Sequence, residues 1–454
     1  MIGRSSTVLE TAAAVRSGAV SAMDVTRAAL SRIAADDPRL GAFTEVTSDR
    51  ALAQAAKVDA AMAGGGDPGP LAGVPFAVKN LFDVAGLPTL AGSKINADHP
   101  PAPSDAVLIR RLTQAGAVLV GALNMGEYAY DFTGENCHYG PSRNPHDPSR
   151  MSGGSSGGSG TAAAAGFVPL TLGSDTNGSI RVPSSFCGLF GLKPTFGRLS
   201  REGTFPFCYS LDHLGPLARS AADLAAAYDA MLDPAGKDEP VTPGLGRGAD
   251  GLRIAVAGGY FAKGALPEAF EAVATVAASL GATETVTIPE AARARAAAYV
   301  ITTAEGGNLH LERLRTRAED FDPATRDRLL AGAMVPSSWY LQAQRFRRWY
   351  HDRVMELFAN VDIILAPATP CTAPPIGQET MVLDGVEMLV RPNIGIFTQP
   401  LSLIGLPIAA VPVQRPGGLP IGVQVIAAPG REDLVLRVAA QLELSGICAA
   451  PVPN

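Results

Sequence analysis

The stretch Arg150-Met-Ser-Gly-Gly-Ser155-Ser-Gly-Gly-Ser-Gly160, followed by Gly173-Ser-Asp-Thr-Asn-Gly-Ser179-Ile-Arg-Val-Pro183, decides the reading of this chain. Glycine and serine crowd both segments, and an alanine-rich apolar run, Thr161 to Leu172, joins them. A Gly/Ser run between polar tails would be a linker. Here the neighbours are apolar (Ala162–Ala165, Val168–Leu170, Phe186–Leu192), so the stretch is predicted to be folded and buried. Buried backbone without bulky side chains presents N–H groups, which are donors for an anion or an oxyanion.

Ser155 and Ser179 each sit in one of these glycine-rich turns. Upstream, Val74-Pro-Phe-Ala-Val-Lys79-Asn80 ends a short apolar strand on a lysine. A lysine in an apolar wall loses the solvation of its charge, so its pKa falls and it can serve as a neutral base. A lysine with two serines can activate a hydroxyl without histidine. By itself Lys79 would read as an exposed strand-end lysine. The two serine turns make the catalytic reading the preferred one.

The constellation resembles the amidase signature family: the lysine strand, both serine turns, and Gly188-Leu-Phe-Gly-Leu-Lys-Pro-Thr195. The likeness runs from about residue 5 to 447. It implies an α/β fold of one large domain, with a central mixed β-sheet surrounded by helices. Residues 70–200 would form the core signature region, about 233–358 a covering insertion, and 359–447 the closing strands and helix. It also implies the roles. Ser179 is the nucleophile, Lys79 the base, and Ser155, preceded by a cis peptide at Gly154–Ser155, the proton bridge. The backbone of Thr176, Asn177, Gly178 and Ser179 is the oxyanion hole. Family members mostly carry glycine at position 177. Asparagine tolerates a positive φ better than most residues, so the turn is expected to survive, with the Asn177 amide free to meet substrate.

Candidate substrate contacts are Tyr130 and Asp131, in the segment that walls the acyl pocket of similar amidases, and Arg181. For Arg181 the preferred reading is a brace of the turn with Asp175 through buried hydrogen bonds, and a clamp on a substrate carboxylate is the alternative. Ser156, Ser159, Ser184 and Ser185 read as structural, and Phe205, Phe207 and Tyr209 as lining of the site mouth or plain packing. The Arg345, Arg347 and Arg348 cluster reads as a solvated helix face or an intersubunit contact.

One branch matches further, the 1-carboxybiuret hydrolases of cyanuric acid degradation. The shared stretches include Thr89-Leu-Ala-Gly-Ser-Lys-Ile-Asn96, Asn136-Cys-His-Tyr-Gly-Pro-Ser-Arg-Asn-Pro-His-Asp147 and the Asn177 turn. That resemblance implies release of ammonia from a small, polar, anionic amide through an acyl-enzyme. It also implies a small accessory subunit within a homo- or hetero-oligomer. Rival readings are the glutaminase subunit of a tRNA-dependent amidotransferase, an allophanate or indoleacetamide amidase, and a silent scaffold. The intact lysine and serines oppose the last.

Composition sets the outer bounds. A net charge of −6 with no basic block gives nucleic-acid binding no support. The five scattered cysteines form no CxxC, which points to a reducing, cytoplasmic setting. The six histidines lack metal-ligand spacing, so no metal or cofactor is expected. No signal-peptide core is seen, and no apolar run reaches the roughly 20 residues of a membrane span.

Along the chain, two N-terminal helices are predicted over 5–35. Ser5 or Ser6 would cap the first, and Leu9, Ala13 and Val15 would face inward. A helix is predicted at 49–63, a helix then a strand over 106–123, and a helix over Thr161–Gly166. A strand–helix–strand unit over 251–288 is predicted to cover the site. A long helical region spans 289–358. A strand at 361–370, a closing strand pair and a helix at 433–443 follow.

Overall fold

The computed structural model describes residues 2–453. Its centre is a mixed sheet of eleven strands with helices around it. The strand Pro75–Lys79 lies parallel to Val118–Leu123 on one side and to Leu170–Asp175 on the other. All five of its residues are buried, as are all six of Leu170–Asp175. A strand covered on both faces carries an apolar run rather than alternation, and Pro75-Phe-Ala-Val78 reads that way; Leu170–Asp175 also holds Thr171 and Ser174, whose hydroxyls are hydrogen-bonded to Ser159 O and Lys79 Nζ. Pro75 opens its strand, where its missing N–H breaks no ladder bond, although the strand is an interior one.

Beyond Leu170–Asp175 the order continues through His213–Ala218, Phe190–Lys193, Ile408–Val413, Ile421–Ile426 and Ile363–Pro367. It ends on Ile254–Ala257 and Glu284–Val286. Asp175 pairs across the antiparallel ladder with His213, which draws Asp212 up to the second serine turn. The closing pair is antiparallel, with Ala410 opposite Gln424.

Three expectations change. The first helix, Val8–Arg16, is capped by Thr7, whose hydroxyl accepts from Glu10 N while Glu10 reaches back to Thr7 N. That capping box outcompetes Ser5 and Ser6 because only a Ser or Thr three residues before the glutamate can close it. The helix therefore buries Val8, Thr11, Ala12 and Val15, and Leu9 and Ala13 point outward.

The strand–helix–strand unit over 251–288 does not lie over the serine turns. Its two strands extend the far edge of the sheet, parallel to Ile363–Pro367. The cover comes instead from the helices Ala291–Leu309 and Pro323–Ala333. The helix predicted at Thr161–Gly166 starts earlier and spans Gly157–Ala164, directly behind Ser155. Glycine is a poor helix former, but at Gly158 a Cβ would collide with the carbonyls of Ala42 and Asn124. Close approach to the neighbouring backbone thus outweighs propensity there. Among the described residues no helix is long and apolar enough to cross a membrane.

Candidate active site

Lys79 ends its strand fully buried, with no exposed surface. Its Nζ lies 2.6 Å from Ser155 Oγ, 2.9 Å from Ser174 Oγ and 3.1 Å from Ser156 Oγ. Burial lowers its pKa to about 7, against the pull of Asp175, Asp212 and Asp131. Near neutral pH a large fraction of the amine is therefore uncharged. Its two N–H groups can then stay on Ser156 and Ser174 while the lone pair turns to the Ser155 hydroxyl. Ser156 also donates to Ser174 O at 3.1 Å, so the three serines form a fixed cradle. Ser156 thus touches the lysine itself, beyond the structural part read for it. Ser159 and Ser185 do hold framework, on Leu172 O and Thr369. The peptide Gly154–Ser155 is cis.

The strand Leu170–Asp175 delivers the second turn. Gly178 has φ of 140°, a region closed to other residues, and a Cβ there would overlap Thr398 Oγ1. The left-handed demand falls on Gly178, not on Asn177 as expected from the sequence. Thr398 Oγ1 donates to Asn177 O at 2.6 Å and pins the turn from outside. Thr176 Oγ1 donates to Asp212 at 2.6 Å. Among the described residues, the N–H groups of Thr176, Asn177, Gly178 and Ser179 donate to no protein acceptor. Such a set can converge on one developing oxyanion.

Arg181 is not a substrate ligand. It is wholly buried, and all five of its N–H groups are spent. Nε and Nη2 hold the two oxygens of Asp175 at 3.0 and 2.9 Å, and Nη2 also donates to Ser402 Oγ at 2.5 Å. Nη1 donates to Gln424 Oε1 at 2.7 Å and Thr398 O at 3.2 Å. Burial would raise the Asp175 pKa, but the Arg181 charge and hydrogen bonds, helped by Lys193 and His213, hold it well below the carboxylate range. Asp175 in turn accepts from Ile180 N at 3.1 Å, so the pair braces the turn that carries Ser179.

The two other proposed ligands separate as well. Tyr130 and Asp131 border a narrow pocket with Asn177, Ser179, Thr302 and Arg328. The Tyr130 hydroxyl is buried without a partner, and its ring packs on Phe207 at 4.8 Å between centroids. Asp131 is committed elsewhere. It accepts from Thr133 N at 3.0 Å, Thr133 Oγ1 at 2.8 Å and Gly134 N at 2.6 Å, and pairs with Arg391. That loop takes the amides of Gly153 and Gly154 on Thr133 O and Phe132 O, 3.1 and 2.8 Å away. Asp131 therefore shapes the wall against which Ser155 is set.

The Amidase family model matches residues 24–436. The chain belongs to the amidase signature family. This amidase is 56% identical over 444 residues to AtzE, a 1-carboxybiuret hydrolase subunit of Pseudomonas sp. (strain ADP), covering 95% of this chain and 97% of the relative. It is 38% identical over 467 residues to a glutamyl-tRNA(Gln) amidotransferase subunit of Chloroflexus aurantiacus, covering 95% of each. A solved structure described as a vestigial protein complex, bearing on the origins of an s-triazine catabolic enzyme, superposes with a TM-score of 0.96 at 54% identity. It covers 98% of this chain and 100% of that one. A peptide amidase bound to chymostatin superposes at 0.85 with 27% identity, covering 99% of each chain. This amidase is a hydrolase acting on C–N bonds.

Reading by sequence missed Ser174, Thr302 and Arg328. Ser174 stands beside Gly173 at the end of a strand whose neighbour ends on Lys79, and that placement was its one available signal. Arg328 has none: it sits in a charged helix, Pro323–Ala333, far along the chain from either turn. Its guanidinium lies 3.8 Å above the Tyr130 ring, with Nε on Ala324 O at 2.7 Å and Nη2 on Tyr130 O. It borders both the inner pocket and a wider outer cavity that also contains Arg391. Of the aromatics, Phe207 lines the pocket, Phe205 packs on Tyr128, and Tyr209 is exposed. In the arginine cluster, Arg347 anchors Ser210 O at 2.9 Å, and Arg345 and Arg348 border a surface cleft.

Proposed function

We propose that this amidase hydrolyses a small anionic carbamoyl substrate of the 1-carboxybiuret type, releasing ammonia through an acyl-enzyme on Ser179. One observation carries the chemistry: a fully buried Lys79 amine, its pKa lowered to about 7, stands 2.6 Å from Ser155 Oγ. The 56% identity to a 1-carboxybiuret hydrolase supports the substrate class.

Ser179 Oγ attacks the terminal carbamoyl carbon. Its proton passes to Ser155 as the Ser155 proton passes to Lys79 Nζ. The amides of Asn177, Gly178 and Ser179 receive the oxyanion. Collapse breaks the C–N bond, and Ser155 returns a proton to the leaving nitrogen, replenished from Lys79. Water then attacks the acyl-enzyme by the same relay and frees Ser179. Among the described residues no hydrogen bond joins Ser155 to Ser179, so the relay requires that contact to form with substrate in place.

Arg328 is the candidate anchor for the substrate carboxylate, as a guanidinium at the throat of the pocket. Arg328→Gln is expected to raise KM for anionic substrates by about 10- to 100-fold with kcat within a few-fold of wild type, and to leave a neutral amide unaffected. Steady-state kinetics on a charged and an uncharged substrate measure this.

The substrate class is tested by ammonia release from 1-carboxybiuret, biuret, allophanate, malonamate and glutamine. The proposal requires 1-carboxybiuret to lead the panel and Ser179→Ala to be silent. The 38% identity to an amidotransferase component supports the second reading, a glutaminase. Glutamine-dependent ammonia release that needs a charged tRNA would establish that one instead. We further propose that the partner is a small accessory subunit, supported by the related structure being a protein complex. A cytoplasmic setting is supported by five cysteines that are all unpaired.

A further inference from the structure

Asn177 is nine-tenths buried and borders the pocket two residues before Ser179. Its side chain is held at one end only. Nδ2 donates to Thr302 Oγ1 at 2.9 Å, on the covering helix Ala291–Leu309, whereas Oδ1 is buried without a donor. The backbone cannot swing to relieve this, because Thr398 holds Asn177 O and the adjacent Gly178 has no space for change. The unpartnered Tyr130 hydroxyl borders the same pocket. A buried acceptor left unpaired calls for an explanation, and beside a pocket the donor of a bound molecule is one.

In a ureide the scissile carbonyl is flanked by an internal N–H, and in a plain carboxamide such as glutamine by a methylene. Arg328, taking the carboxylate at the far end, would aim that internal N–H along the pocket wall. We infer that the Asn177 carbonyl oxygen, oriented by Thr302, accepts a hydrogen bond from this N–H and so selects ureido substrates over carboxamides. The inference rests on the function proposed above and assigns its specificity to one atom. Sites built to hydrogen-bond one polar group reject analogues that lack it far more strongly than apolar pockets reject a methylene.

The test uses a matched pair, N-carbamoylglycine and succinamate, which differ only by N–H for CH2 beside the scissile carbonyl. 1-Carboxybiuret serves as the reference. For each compound kcat/KM is measured, or Ki against 1-carboxybiuret where turnover is too slow. Asn177→Gly is expected to lower the preference for N-carbamoylglycine over succinamate, read as the ratio of their kcat/KM, about 30- to 100-fold, any loss through the Asn177 N–H falling on both compounds alike. Thr302→Val, which frees the amide to rotate without touching the turn, should show the same selectivity at about tenfold.

Equal losses on both members of the pair would assign Asn177 to the turn alone and overturn the inference, as would no loss on either. A larger loss on succinamate would overturn it too, by showing the amide nitrogen to face the substrate. Each of these leaves the proposed function standing. A wild-type protein that turns over no ureide, 1-carboxybiuret included, refutes that function and the inference with it.

Discussion

Lys79→Met is expected to lose turnover by about four orders of magnitude or more while the fold persists, since on the proposed mechanism the lysine and the two serines act as one catalytic unit and fail together. The residual rate is what the oxyanion donors and binding supply alone. In the wild-type protein kcat/KM should rise with pH through the Lys79 pKa of about 7, since the base works uncharged. A profile flat across pH 6 to 8, or Lys79→Met turning over near the wild-type rate, removes lysine from the base role.

The same group makes a stability prediction of definite sign. Unfolded, the lysine titrates near 10.5, and folded near 7. Below pH 7 both states are protonated, and the native state carries the full cost of a buried charge. Between about 7 and 10.5 the native state has released its proton and the unfolded chain has not. Stability from this group therefore rises with pH across that window. Denaturant midpoints at pH 6 and pH 10 should show Lys79→Met at its greatest relative advantage at pH 6.

Arg181→Met should destabilise the fold by about 3–5 kcal/mol, the usual cost of breaking a buried pair and leaving one charge uncompensated. Asp175 would keep the backbone N–H groups of residues 180 and 181, with Lys193 and His213 nearby, but no partner charge on its carboxylate. Gln424, Ser402 and Thr398 would lose their donor. The pH sign follows from Asp175. With Arg181 present its folded pKa is depressed, so its stabilisation holds above the unfolded value near 3.8 and is lost only as pH falls through the lower folded pKa. Without Arg181, burial raises the pKa instead, and the variant loses stability as pH rises past 3.8. The gap from wild type, read from denaturation midpoints, should be wider at pH 8 than at pH 4. An unchanged midpoint at pH 8 would return Arg181 to the candidate substrate ligands.

Lys79, Ser155 and Ser179 were legible because each announces itself locally. A lysine closing an apolar strand, and serines within glycine turns flanked by apolar runs, are contradictions of composition that few roles explain. The α/β architecture was legible because strand and helix patterns alternate along the chain, with the uninterrupted apolar run before Lys79 marking a strand buried on both faces.

Tertiary structure alone decided what each polar side chain spends its hydrogen bonds on. Arg181 reads as a brace with a clamp left open until Ser402 and Gln424, more than two hundred residues on, are seen to use its donors. Asp131 is resolved by Arg391, and Asn177 by Thr302, partners that no spacing rule links. Hydrophobic pattern is a property of neighbours in sequence. Saturation of a buried donor or acceptor is a property of neighbours in space, and it is that saturation which separates the residues framing this site from those left open to a substrate.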